Sequence, residues 1–341
     1  MSNRLDHPFA QPPAHAQPIE VAPGILWLRM PLPFQLDHIN LWLIEDGDGW
    51  TLVDTGFADD ATRALWGRVF DDGLRGLPIR RIVSTHFHPD HIGLAGWLAE
   101  RWGVELWTTQ AEWLYARMLS QDSGEATVEW QVEFYRRAGF EGEMLDLTRR
   151  RGNVYRSRVV PIPVSLRRIG AGSILRIGGR DWTVIIGTGH SPEHASLYCA
   201  EDDILISGDQ VLPKISPIVG VWPQEPEANP LQCFLASLDV FRPLPRGTFV
   251  LPSHGLPFRG LHERLDQLSC HHDARLAETL EACRDSITGK RLLDVLFRRP
   301  LDDHQVFFAI GESLAHLHYL MNRGEIQREQ RADGVQLFRK T

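Results

Sequence analysis

Three imidazoles and a carboxylate fall within one short stretch, Ser84-Thr85-His86-Phe87-His88-Pro89-Asp90-His91, directly after the run Arg80-Arg81-Ile82-Val83. Imidazole nitrogen and carboxylate oxygen are the donors that zinc, manganese and iron prefer, so His-x-His followed by Asp-His reads as a loop that folds around metal. Pro89 fixes φ and is expected to deny the segment a regular helical start. A lone histidine would read as an ordinary turn residue, but the same setting recurs three times. The strand-like run Trp182 to Gly187 ends in Thr188-Gly189-His190, Ile204-Leu205-Ile206 ends in Ser207-Gly208-Asp209, and Thr248 to Leu251 ends in Pro252-Ser253-His254. Four strand ends thus deliver His or Asp to what could be one point, which demands a fold whose distant strands finish side by side.

The remaining sequence supplies the scaffold. Ile25 to Leu28, Ile39 to Ile44 and Trp50 to Val53 are strand-like, with the turn cluster Glu45-Asp46-Gly47-Asp48-Gly49 between the last two, so the chain opens as an antiparallel meander. That meander closes on Asp54-Thr55-Gly56, one more strand-end carboxylate, unless Asp54 instead caps the helix that starts near Asp59-Asp60. Ala61 to Phe70 is an amphipathic helix and Leu77 to Ser84 a strand, a β-α-β step into the histidine loop. Gly93 lets the chain leave that loop tightly, and Leu94 to Trp102 follows as a helix, then Val104 to Trp107 as a strand.

From Gln110 to about Phe140 the pattern is helical, interrupted near Ser123-Gly124, and reads as a cap over a pocket or as helices on the outside of the core. Nine arginines between Arg149 and Arg180 follow, almost free of acids; they could receive an anion or form a solvated face. Val211 to Pro230 must be irregular, and because it leaves directly from Asp209, Lys214 and Ser216 are candidate substrate contacts. Beyond Leu265 come three helices and a short hairpin around Ala332-Asp333-Gly334, similar to a winged-helix unit. Glu312, His316, His318 and Tyr319 on the third helix favour packing or dimerisation there over reading nucleic acid.

The set His86-x-His88-x-Asp90-His91, His190, Asp209 and His254 resembles the metallo-β-lactamase fold superfamily of hydrolases, in the branch that holds glyoxalase II and ribonuclease Z, from about Ile19 to about Leu265. The resemblance implies an α/β fold, a four-layer αββα sandwich. The expected division is a flexible arm over residues 1–18, a hydrolase domain over 19–265 with a helical insertion over 110–140, and a small helical, winged-helix-like domain over 266–341. It also implies two divalent metal ions, zinc in first place, with manganese or iron as alternatives. His86, His88 and His190 would hold one, Asp90, His91 and His254 the other, and Asp209 would bridge them, with Asp54 behind the ligands orienting them. In such a centre a metal-bridging hydroxide is the nucleophile, and Asp90 or a metal-bound water passes a proton to the leaving group. His194, one turn past His190, is expected to act beside them by holding the bridging carboxylate or the oxyanion, or else to be structural. Zinc β-lactamases of the common type carry Cys where Asp209 stands, and flavodiiron proteins carry Glu where His88 stands, so neither activity is expected.

Composition narrows the function. A formal net charge of −8 over 341 residues argues against a protein that coats nucleic acid or a membrane. Cys199, Cys233, Cys270 and Cys283 lack a Cys-x-x-Cys pair, which points to reduced thiols. The first eighteen residues lack the apolar centre of a secretory signal, so a cytoplasmic location is expected. The leading expectation is therefore a dinuclear hydrolase of a small thioester, ester or lactone. A phosphodiesterase or endoribonuclease is the rival, favoured by the arginine stretch and the C-terminal unit. A non-catalytic nucleic-acid-binding protein stands third, and a homodimer is left open.

Overall fold

The computed structural model describes residues 5–122 and 124–341, so the first four residues of the expected arm and Ser123, in the expected helix break, lie outside the described residues. Strands β1 (Ile19–Ala22), β2 (Ile25–Pro31), β3 (His38–Glu45), β4 (Trp50–Val53), β5 (Ile79–Val83), β6 (Leu106–Thr108) and β7 (Arg167–Arg168) form one sheet in that order. Its first three pairings are antiparallel and the rest parallel. The second sheet runs β12 (Phe249–Pro252), β11 (Ile204–Gly208), β10 (His194–Cys199), β9 (Arg180–Gly187), β8 (Ile174–Ile177), with only the β11–β12 pair parallel.

Alternation along the strands divides the side chains between layers. Ile25 and Trp27 of β2 and Trp42 and Ile44 of β3 meet Trp182, Val184, Leu197 and Ile206 from the facing sheet. Their neighbours Leu26, Leu28, Leu41 and Leu43 point the other way, onto Trp66 of the Asp60–Arg68 helix and Leu98 of the Ala95–Trp102 helix. Both faces of β2 and β3 are buried, which is why these strands read as nearly continuous apolar runs. Across the outer face of the second sheet lie the Pro230–Leu238, Leu261–Ala282, Gly289–Leu296 and Gln305–Asn322 helices. The result is the expected helix-sheet-sheet-helix sandwich.

The C-terminal helices and the hairpin β13 (Ile326–Gln330) and β14 (Gln336–Lys340) share one core with the sandwich: Leu205 of β11 and Val250 of β12 are continuous with Leu292, Phe307 and Phe338. The expected boundary at residue 266 falls inside the Leu261–Ala282 helix. Two local expectations change. Pro89 occupies the first turn of a four-residue helix, Pro89–Ile92, where its missing N–H costs nothing. The arm, from residue 5 on, is held against the body. Asp6 pairs with Arg259, His7 Nδ1 lies 3.1 Å from the Pro257 carbonyl, and the Phe9 ring lies 6.0 Å from Trp27 and 6.4 Å from Phe249, so one aromatic anchor outweighs a polar composition. Among the described residues no helix is long and apolar enough to cross a membrane.

Candidate metal centre

Because β4, β5, β9, β11 and β12 finish on the same rim, their following residues converge. Asp54 comes from β4, His86 and His88 from β5, His190 from β9, Asp209 from β11 and His254 from β12, while His194 opens β10 beside them. The donor atoms form two groups, His86, His88, His190 and Asp209 in one, Asp90, His91 and His254 in the other, each within 4.8 Å of one another. In the first, His86 Nε2 lies 2.8 Å from His88 Nδ1 and 3.2 Å from His190 Nε2. In the second, His254 Nε2 and His91 Nε2 stand 3.4 and 3.5 Å from Asp90 Oδ2. Asp209 lies between them: Oδ2 is 3.4 Å from His190 Nε2, and Oδ1 is 3.3 and 3.4 Å from the Nε2 atoms of His254 and His91. All the residues expected as metal ligands are thus brought together.

The surroundings fix which ring nitrogen faces inward. Asp54 Oδ2 receives His91 Nδ1 at 2.8 Å, the Ile218 carbonyl receives His190 Nδ1 at 2.7 Å, and the His38 carbonyl receives His254 Nδ1 at 2.7 Å. Thr85 Oγ1 donates to Asp54 and so accepts from His86 Nδ1 at 3.0 Å. In its neutral form each of these rings turns a bare Nε2 toward the centre. The lone pairs of His86 and His190 therefore face each other at 3.2 Å, and His91 Nε2 and Asp209 Oδ1 are buried without a hydrogen-bond partner. Such an arrangement is repulsive until a cation enters it, and an all-nitrogen-and-oxygen donor set suits divalent zinc, manganese or iron.

Protons compete for the same place. Burial disfavours a charged His91, but Asp90, Asp209 and Asp54 outweigh it and hold its pKa well above the ordinary 6.5. His254, buried in the same way, is pulled up to about 10 by Asp209 and Asp90. On the other side, desolvation keeps His86 neutral, and His88 is held down at about 3 by burial and by the neighbouring His190.

Asp54 sits behind His91 as expected, with its backbone at φ +61, a conformation Asp tolerates better than most residues. It does not cap the following helix; Asp59 does, accepting from Thr62 N at 2.7 Å. Of the alternatives expected for His194, the geometry favours support of Asp209 over contact with an oxyanion. Its ring is fully buried, Nε2 accepts from the Asp209 backbone N at 3.0 Å, and Gly208 lies so close that a Cβ there would strike the ring. His194 therefore positions Asp209 from behind and does not face a substrate. Gly93 is tight as expected, since a Cβ would run into the Pro89 and Gly56 carbonyls.

A cavity of about 200 Å³ opens beside this centre, reaching His88 and Pro89. The Gln110–Gln121 helix lines it with Tyr115 and Leu119, and the Glu125–Arg137 helix with Gln131 and Tyr135. Lys214 and Ser216 do not line it; the loop after Asp209 reaches the cavity through Trp222, Pro223 and Gln224. Glu112 was hidden in the sequence. This fully buried carboxylate accepts from Phe87 N at 2.9 Å, Ser191 Oγ at 2.8 Å and Glu193 N at 2.7 Å, joining the His86–His88 loop to the His190 loop. The one signal was an acid on the inner face of the helix, one turn before Ala116.

The metallo-beta-lactamase superfamily profile matches residues 35–264, and a profile described as a metallo-beta-lactamase-like C-terminal domain matches residues 276–341. Among solved structures, a beta-lactamase domain protein from Burkholderia ambifaria superimposes with a TM-score of 0.93 at 45% identity, over 99% of this chain and 98% of that one. The protein named "Probable metallo-hydrolase YqjP" of Bacillus subtilis (strain 168) is 23% identical over 87% of this chain and 92% of its own. The acyl-coenzyme A thioesterase MBLAC2 of Gallus gallus is 28% identical over 55% of this chain and 63% of its own.

Proposed function

The chain belongs to the metallo-beta-lactamase superfamily and is a metal-dependent hydrolase, and we propose that it cleaves a small thioester, ester or lactone at a centre of two divalent metal ions, zinc first among them. The observation that carries this reading is the juxtaposition of the two ligand groups with a walled cavity of about 200 Å³. A pair of divalent cations held there supplies Lewis acidity and brings the pKa of water from 15.7 down toward about 7. The protein's own residues supply the rest. Asp209, with one oxygen toward each group, sets their separation, and the His194 ring, accepting from the Asp209 backbone N, anchors the main chain that carries it. Asp54, Ile218 and His38 hold the rings of His91, His190 and His254 in one tautomer, so ordering of the site precedes ligand binding.

Asp90 is the more open of the two central carboxylates, its side chain 19% exposed against 10% for Asp209, and it adjoins Pro89 on the cavity wall. In this reading Asp90 carries a proton to the leaving group. No serine or cysteine nucleophile is required. Similarity to an acyl-coenzyme A thioesterase supports an acyl substrate, and the aromatic walls suit a small body better than a nucleic-acid strand. Turnover measured on matched thioesters, esters, lactones and phosphodiesters, after loading with zinc, manganese or iron, tests the reading. Preferential cleavage of an acyl substrate is expected; cleavage of phosphodiesters alone would overturn it.

A further inference from the structure

The arginine-rich stretch divides into two populations. Arg149 pairs with Glu129 and Asp146, Arg167 with Glu105, Arg176 with Asp181 and Arg180 with Asp202, all on the surface. Arg151 and Arg158 instead turn inward and line the cavity, half-buried, and form no ion pair among the described residues. Arg151 lies over the Phe307 ring, 3.7 Å from its centroid. Arg158 Nη1 is 2.8 Å from His304 Nε2, and its guanidinium stands 5.1 Å from the Phe34 centroid. Burial, and then the charge of Arg151, holds the pKa of Arg158 below its ordinary value, while Asp90 pulls the other way. Asp303 acts on Arg151 only electrostatically, and the Asp122 carboxylate that also lines the cavity accepts from Thr127 Oγ1.

Two like charges facing a partly dry cavity are unfavourable on their own and become favourable when an anion joins them. Guanidinium groups suit oxygen anions because they donate in a planar fork. The remaining wall, with Tyr115, Tyr155 and Trp222, offers contact to an apolar body. We infer that the cavity selects an acyl substrate with an apolar body and a second, anionic oxygen group seated between Arg151 and Arg158. This deepens the hydrolase reading above and rests on it for the position of the scissile bond.

The test compares mono-p-nitrophenyl glutarate with p-nitrophenyl valerate, which has nearly the same shape but no charge, on the metal-loaded enzyme and on Arg151→Met, Arg158→Met and Arg158→Lys. We expect kcat/KM to favour the glutarate by about tenfold or more, mostly through KM, with the ratio falling toward one in the Met variants and partly recovering in the Lys variant. A ratio of one or less in the native protein, or a ratio unchanged in both Met variants, overturns the inference. Binding of the unreactive N-phenylglutaramate and valeranilide, followed by calorimetry, separates this from failure of the acyl reading. If neither ester turns over, tighter binding of the anionic amide that is lost in both Met variants still sustains the anion site. Equal binding, or binding that survives both substitutions, rejects it.

Discussion

Truncating Glu112 to alanine tests whether the two histidine loops are held together from behind. In the native protein Ser191 Oγ and Glu193 N donate to Oε1 and Phe87 N donates to Oε2, the serine and Phe87 bonds buried and the Glu193 bond half-buried. Glu112→Ala leaves two buried donors unpaired at about 1–3 kcal/mol each, and a half-buried third, so even the low end comes to about 2 kcal/mol. Phe87 lies between His86 and His88, and Ser191 follows His190, so the loss falls on the first ligand group. Supporting contacts of this kind typically change metal affinity by about 10–100-fold. Chelator competition should therefore show one of two binding steps weakened by that factor, with the step assigned to Asp90, His91 and His254 much less affected. Glu112→Gln adds a pH signature. Burial pushes the Glu112 carboxyl from its ordinary 4.5 up to about 7. The folded state thus favours the protonated form, a contribution fully present below about pH 4.5 and lost as pH rises through about 7. Glutamine does not ionise, so wild-type stability relative to Glu112→Gln should drop by about 3 kcal/mol across that window in denaturant titrations. Unchanged metal affinity in both steps and an unchanged denaturation midpoint for Glu112→Ala would refute the argument.

Asp209→Ala should keep a folded protein by circular dichroism while hydrolysis falls by at least about a hundredfold, because both ligand groups lose their shared oxygen donor; activity near wild type would show that Asp209 is not the bridge. Metal uptake by the metal-free protein at pH 7 should release protons, since His91 and His254 are held charged there and must become neutral to ligate, and affinity should fall further in acid. Calorimetry in buffers of different ionisation enthalpy reads that release directly, and none would contradict it. Gly208→Ala, at φ +53 and against the His194 ring, should cost about 2–5 kcal/mol and lower metal content. Gly47→Ala, at φ +66 but with open space around it, should cost only about 1–2 kcal/mol and leave metal content alone; equal metal content in the two variants would show that His194 does not position Asp209.

The ligand set was legible because its chemistry is local: each donor sits in the short segment that follows an apolar run, and such runs can be read one at a time. The strands were legible for the same reason, since β2 to β6, β9, β11 and β12 coincide with apolar stretches, whereas the sandwich itself followed from the family resemblance. What escaped depends on direction in space. Glu112 looks like any acid on an amphipathic helix, and only the fold shows that it lies on the face packed against the His loops. Lys214 and Ser216 stood in the right loop, but the aromatic Trp222 reaches the cavity instead. The arginine stretch appeared as one basic segment, whereas its helix and turn send Arg151 and Arg158 inward and leave their neighbours in water. The arm's polar residues outnumber the single Phe9 that holds it, so composition alone reads it as flexible.

The most direct measurement is an anomalous-scattering map of crystals of the metal-loaded protein. Two peaks are expected, one about 2.0–2.2 Å from the inward nitrogens of His86, His88 and His190, the other equally close to Asp90, His91 and His254, with one oxygen of Asp209 on each. A single peak, or peaks that leave Asp209 outside their coordination, would contradict a bimetallic centre joined by that carboxylate.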